Sequence, residues 1–310
     1  MTTQALPYIV LLGFMYGSTL VASRFSVGQF EPLTYIGLRV TMAAMAHVVI
    51  YLASRKREWP TDKWLWIHAL VLGIFGTALP MSGMVMSLEY LSSGMTSILI
   101  TTGPALTVLM AHFFLDDERL TVRTILGIGL ALSGAVLLAL RGETGLADNS
   151  GSIFGYGLVL GGMLLGSAAT IYARKFMKTY DSYDVASIRM FGAMFLMIPL
   201  SLFTVGFDLS AVTNVGYGAL GYAAVVGTFG GMMLAFYNVK HFGATASSMT
   251  AYVVPVAANI GGILLLDEIF TRGMLIGTAL IVAGIYTINR RQKQAAATPS
   301  VQAQISKSGD

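Results

Sequence analysis

Six stretches of this chain contain no Asp, Glu, Lys or Arg: Met1 to Ser23, Trp64 to Leu88, Tyr90 to Leu115, Asn149 to Ala173, Leu209 to Val239 and His241 to Leu266. A mainly apolar run of about 20 residues matches what an α-helix needs to cross the hydrocarbon of a bilayer. Six such runs in one chain define an all-α, polytopic membrane protein. Composition agrees: apolar residues make up 55% and charged residues 11%, too few charges to cover a soluble surface.

The net charge of +4 is not gathered into a basic stripe with interleaved aromatics, so no nucleic-acid partner is expected. Cysteine is absent, which excludes disulfides and thiolate metal sites. The first apolar run lacks a basic residue ahead of it and has a counterpart inside the chain, so it reads as a retained span rather than a cleaved leader.

Boundaries placed at charged and turn-forming clusters give ten transmembrane helices, over 6–23, 32–53, 64–88, 93–114, 122–140, 153–173, 185–205, 214–238, 244–266 and 272–289. The connections are short and leave no room for an extramembrane domain. The tail, 292–310, is polar and rich in small residues and reads as a disordered cytoplasmic extension. Lys and Arg favour cytoplasmic loops. With the amino end inside, the cytoplasmic segments hold Arg55, Lys56, Arg57, Lys63, Arg119, Arg123, Arg174, Lys175, Lys178, Lys240, Arg290, Arg291, Lys293 and Lys307, against Arg24, Arg141 and Arg272 opposite. Both termini are therefore expected in the cytoplasm, in a multi-pass protein of the cell inner membrane.

The chain also repeats itself. A shift of 150 aligns Leu115, Asp117, Glu118, Thr121, Gly127, Leu130 and Gly134 with Leu265, Asp267, Glu268, Thr271, Gly277, Leu280 and Gly284. The same shift superposes Arg24 on Arg174 and Arg39 on Arg189, and a shift of 151 superposes Pro104 on Pro255. Two five-helix units follow, 1–141 and 152–291. Because five is odd, the second unit enters the membrane from the opposite side, giving inverted repeats whose exchange of packing would open one cavity to either face.

The segment "LEYLSSGMTSILITTGPALTVLMAHFFLDDERLTVRTILGIGLALSGAVLL" and its echo "VKHFGATASSMTAYVVPVAANIGGILLLDEIFTRGMLIGTALIVAGIYTI" resemble the paired EamA domains of the drug/metabolite transporter superfamily. The resemblance spans 6–290. It implies a central cavity lined by helices one, three, four, six, eight and nine, with five and ten peripheral. It implies transport without naming a cargo, since members are reported to move amino acids, purines, nucleotide sugars, quaternary amines and drugs.

Kinked helices are the best sequence pointer to a transporter's site. Pro80, Pro104, Pro199 and Pro255 lie inside spans, and the prolines of the repeat place the pocket near Thr101 and Thr102 in one half and Tyr252 and Asn259 in the other. Tyr16 and Ser18 on helix one, Tyr172 on helix six, and Tyr237 and Asn238 on helix eight could supply hydroxyls and aromatic walls. The methionines of "MSGMVMSLEY" and "GGMMLAFYNV" suit a tolerant apolar lining.

Arg39 and Arg189 are charges inside spans, which cap neighbouring carbonyls or, for Arg39, meet an anionic cargo group or pair with Glu89. His47 and Glu89 are the candidates for proton coupling. Pro104, Pro255, Glu118 and Glu268 read as structural hinges, with Thr121 and Thr271 capping the helices that follow. No pair of histidines shares helical spacing with a carboxylate, so no metal is expected, and no cofactor.

The sequence holds no G-x-S-x-G elbow and no H-E-x-x-H, which argues against an intramembrane enzyme, and nothing like a filter or charged ring for a channel. The reading is a secondary transporter, monomeric or a weak homodimer, exporting a small polar or zwitterionic metabolite such as an amino acid. Amines, nucleosides and drugs are the alternative cargoes. The expected cavity carries almost no net charge.

Overall fold

The computed structural model describes residues 3–54, 57–115, 120–147, 153–243, 247 and 249–297, with 289–297 as backbone only. Glu118, one of the four expected hinge residues, lies outside the described residues. The helices are α1 (Leu6–Phe25), α2 (Pro32–Ala53), α3 (Lys63–Ser87), α4 (Ser93–Phe114), α5 (Val122–Leu140), α6 (Ile153–Phe176), α7 (Ser182–Thr204), α8 (Asn214–Phe242), α9 (Thr250–Leu266) and α10 (Arg272–Ala297). The first eight are long and apolar enough to cross a membrane. The remaining apolar segments, Thr250–Leu266 and Arg272–Ile288, are shorter. Among the described residues there is no strand.

Helix ends sit where short polar side chains satisfy backbone donors that the first turn leaves open. Asp62 accepts from the amides of Trp64 and Leu65 at the start of α3, Ser92 from Met95 in α4, Asp181 from Tyr183 and Asp184 in α7, and Thr213 from Gly216 in α8. Thr121 and Thr271 cap α5 and α10 as the sequence suggests. The outward faces stay apolar: Leu126, Leu140, Phe203 and Leu264 are 66%, 81%, 89% and 74% exposed, which suits contact with lipid tails.

The helices pair reciprocally. α1 packs on α9 as α6 packs on α4, and α3 packs on α7 as α8 packs on α2. Two pairings join equivalent helices, α5 with α10 and α2 with α7, and each makes the same contact twice. A Cβ on Gly127 would stand 2.8 Å from the Gly284 carbonyl, and one on Gly134 would stand 2.8 Å from the Gly277 carbonyl. These four glycines are two pairs of repeat equivalents, so the helices run antiparallel about a local twofold. In α2 and α7, Thr34 Oγ1 lies 2.6 Å from Ser201 Oγ, and Tyr51 donates to Asp184 Oδ1 at 2.6 Å. Asp184 occupies the repeat position of Thr34, and Ser201 that of Tyr51.

The second copy of the acidic hinge does something the sequence misses. Glu268, 7% exposed, does not cap α10, the helix that follows it. Its carboxylate accepts from Ser93 N at 2.7 Å, Ser93 Oγ at 2.8 Å and Gly94 N at 3.2 Å, closing the N-terminus of α4 in the other unit. A negative charge there meets both open donors and the positive end of the helix dipole. Asp267 just before it turns in the left-handed region, φ 53°, which swings Glu268 back toward α4.

The α5–α10 seam is predicted to tolerate no side-chain growth. A Cβ on Gly284 would fall 2.5 Å from the Gly127 carbonyl oxygen and 2.6 Å from the Ala131 nitrogen, and backbone cannot swing aside. Gly284→Val is expected to cost on the order of 1–3 kcal/mol or more and to lower the melting temperature of the purified protein. Gly129→Val, on the same helix as Gly127 but with open space around it, is the control that should leave it nearly unchanged.

Candidate functional site

A cavity of about 310 Å³ lies between seven helices, at the small end of the range for small-molecule sites. α1 contributes Tyr16, Thr19, Leu20 and Ser23; α3 contributes Gly76, Thr77, Pro80, Met81, Met84 and Val85; α8 contributes Gly227, Thr228 and Met232. Arg39 enters from α2, Ile100 from α4, Arg189 and Met190 from α7, and Val254 from α9. The peripheral place of α5 and α10 agrees with what the family resemblance implies. Two points differ: α6 supplies no lining residue, and α2 and α7 supply both charges.

The local chemistry of α3 explains one arginine. Pro80 has no N–H, so the Gly76 carbonyl loses the donor it would have in a regular helix. The chain widens to a π-helical turn over Ile74–Ala78, and Arg189 Nη2 donates to the Gly76 oxygen at 3.0 Å. Thr77 in the same turn accepts from Arg189 Nη2 at 3.0 Å and Nε at 3.3 Å. The matching stretch of α8, Ala223–Gly230, is also π-helical, and its Thr228 accepts from Arg39 Nε at 2.8 Å while donating to the Ala223 carbonyl at 3.1 Å. Arg39 Nη1 reaches Ser23 Oγ at 3.1 Å. Each unit thus reaches into the widened helix of the other. Gly-Thr recurs at 76–77 and 227–228, a shift of 151.

The charges are held but not neutralised. Arginine at a membrane-helix centre costs roughly 2.5–3.5 kcal/mol, and a hydrogen bond to a charged group returns about 1.5–3 kcal/mol. Arg39 bonds to the hydroxyls of Thr228 and Ser23, and Arg189 to the Thr77 hydroxyl and the Gly76 carbonyl. Ion pairs among the described residues are those of Arg57 with Asp181 and Asp184, 3.3 and 3.7 Å away on an exposed surface. The Arg39–Glu89 pair is not made. Of the carbonyl capping expected of Arg39 and Arg189, Arg189 does its part at Gly76 and Arg39 does not; at the end of α3 it is Arg24 that donates to the Leu88 oxygen, at 2.8 Å.

Of the substrate-binding residues chosen from the sequence, Tyr16 and Arg39 line the cavity. The ring of Tyr16 lies against α8 at Gly231, where a Cβ would be 2.5 Å from a ring carbon. Ser18, one step round α1, bonds to Tyr222 at 2.8 Å instead. Thr101 and Thr102 are buried and bond back to the Ile98 and Leu99 carbonyls at the break before Pro104. Tyr172 bonds to His68 at 2.6 Å. Asn238 is buried and donates to the Tyr8 carbonyl, and Tyr237 is an exposed ring stacked on His241. Asn259 donates to the Pro255 carbonyl at 2.7 Å and packs on Gly94, and Tyr252 packs on the core shared by α4, α5, α6 and α10. None of these, nor Glu89 or His47, lines the cavity.

Glu89 is exposed in the turn after α3, and loss of hydration, with Glu31 nearby, holds its carboxyl above the usual carboxylate range. His47 is fully buried between the rings of Tyr183 and Phe229, each 5.0 Å away. The sequence reading passes over Thr77, Arg189 and Thr228 as site residues; the recurring Gly-Thr marks the two threonines, and the superposition of Arg39 on Arg189 marks the arginine. It does pick out the methionine clusters, from which Met81, Met84 and Met232 reach the cavity. Among the described residues no three His, Asp or Glu gather as metal ligands.

The bundle and its shared cavity define a multi-pass helical membrane protein with an internal cavity. The profile of the EamA-like transporter family matches residues 3–140 and again 153–290, and the chain belongs to that family. It is a membrane transporter. An uncharacterized transporter of Archaeoglobus fulgidus is 25% identical over 280 residues, covering 89% of this chain and 95% of that protein. A probable terminal-alkyne amino-acid exporter of Streptantibioticus cattleyicolor is 28% identical over 214 residues, 68% of this chain and 69% of that protein. A solved crystal structure shares the fold with a TM-score of 0.62 at 18% identity, covering 93% of this chain and 98% of the other.

Neither ring nitrogen of His47 has a hydrogen-bond partner among the described residues. A buried polar group left in that state costs about 1–3 kcal/mol. His47→Phe is therefore expected to raise the melting temperature. Unchanged pH dependence of transport in that variant would remove His47 from proton coupling.

Proposed function

We infer that the protein is a secondary carrier that exports a small carboxylate-bearing metabolite across the cytoplasmic membrane by alternating access. Amino acids are one such class, as the name of the Streptantibioticus relative suggests. The observation that carries this reading is the reciprocity of the cavity: Arg39 bonds to Thr228 while its repeat equivalent Arg189 bonds to Thr77. A site built from equivalent positions of two units has two nearly equivalent packings, and exchanging them moves the opening from one face to the other. The antiparallel α5–α10 and α2–α7 contacts support units that are inverted in the membrane. The excess of Lys and Arg on one set of loops supports cytoplasmic termini.

Reconstitution into liposomes tests the carrier reading. A carrier loaded inside with unlabelled cargo accelerates entry of the labelled compound and saturates, because the loaded site returns faster than the empty one. Saturable counterflow is expected; conductance without counterflow would replace the carrier by a channel. Tags on the amino and carboxyl ends should both react only from the cytoplasmic side.

A further inference from the structure

Arg39 and Arg189 face one cavity of about 310 Å³, and no Asp or Glu is among the residues that line it. Their partners are neutral: the hydroxyls of Ser23, Thr77 and Thr228 and the Gly76 carbonyl. Each cation has lost hydration in a space of low dielectric without gaining an opposite charge, so an anion entering the cavity relieves that cost. The planar guanidinium fork also matches a carboxylate two bonds at a time. The rest of the wall is apolar and deformable, with Met81, Met84, Met190 and Met232 around the arginines.

Resting on the carrier reading above, we propose that the cavity takes its cargo as a net anion: an organic carboxylate on an apolar body, its acidic end between Arg39 and Arg189 and its body on the methionine wall. A zwitterion carries an ammonium group for which the lining offers no carboxylate. A cation meets two like charges. Because the arginines come from equivalent positions of the two units, the site presents a guanidinium from each unit to the cargo.

A matched set of compounds isolates charge from shape: phenylpyruvate (anion), L-phenylalanine (zwitterion) and phenethylamine (cation). Binding is read at pH 7.5 as the rise in melting temperature of the purified full chain, and transport as counterflow in proteoliposomes corrected for protein-free vesicles. Phenylpyruvate is expected to stabilise and exchange saturably, at concentrations at least tenfold below L-phenylalanine, with no response to phenethylamine. Arg39→Gln and Arg189→Gln should each raise the half-saturating phenylpyruvate concentration at least tenfold, and Arg39→Lys and Arg189→Lys should recover part of it.

Melting temperatures with and without phenylpyruvate separate binding from scaffolding. The Gln variants lose hydrogen bonds to Thr77, Thr228 and the Gly76 carbonyl along with the charge, so the deciding readout is the shift that phenylpyruvate adds: arginines that bind the anion lose that shift when replaced, whereas arginines that only brace the bundle lower the melting temperature and leave the phenylpyruvate response intact. That second pattern overturns the proposal. Exchange of L-phenylalanine with no phenylpyruvate response overturns the anion site and leaves the carrier standing. Phenylpyruvate binding that depends on both arginines, without exchange of any of the three, keeps the site and overturns the carrier. No phenylpyruvate response in either assay overturns the anion site.

Discussion

Polar groups in hydrocarbon have to find partners inside the protein, and this constraint organises the whole bundle. Side-chain hydroxyls turn back onto their own helices, as Thr41 does to Gly37 and Ser82 to Ala78, or cross to a neighbour, as Thr34 does to Ser201. Carbonyls at helix ends are met by a side chain, as Leu88 is by Arg24. Where a helix cannot close its own ladder, another element supplies the bond. The Gly76 carbonyl, deprived of its donor by Pro80, is served by Arg189 from the other unit. The cavity forms at that point, because a widened helix and a guanidinium that bridges to it keep close packing from sealing the space.

The packing energy lies mostly elsewhere. The α5–α10 seam brings two backbones together at glycines, and its neighbours Ile128, Ala131, Ala135, Leu138, Ile281 and Ile285 form a continuous core with α4 and α6. In lipid such contact relies on close van der Waals fit rather than on expulsion of water. α5 and α10 contribute no lining residue to the cavity, and the residues that do line it carry costs that a core would not accept: two cations and two π-helical turns. Strain of this kind belongs where a protein changes state or binds.

Glu268 has a different standing from the arginines, although all three are buried ionisable groups. Its carboxylate is fully served by two amides and a hydroxyl of α4, so its charge is compensated by the helix it closes. The arginines are bonded without being compensated. That contrast, rather than burial, separates the two kinds of charge.

The chain by itself determined the number, length and placement of the helices, since hydrocarbon thickness and the cost of charge in it are properties of local sequence. The predicted and observed boundaries differ by a few residues at most for α1 to α8. The duplication was equally legible, because identities at a fixed shift survive without any knowledge of packing. Which side chains meet was decided by tertiary structure alone. The proline rule points to a kinked helix facing a cavity, yet it cannot choose among four prolines, and Pro80 rather than Pro104 or Pro255 frees the carbonyl that an arginine takes. Thr101, Asn259 and Tyr172 look on paper as suited to a ligand as Thr77 and Thr228 do, but Thr101 and Asn259 turn back onto carbonyls of their own segments, Tyr172 is taken by the His68 ring, and the rotation of each helix about its axis leaves all three off the cavity wall. That rotation is set by contacts between residues more than a hundred positions apart, and no local pattern encodes it.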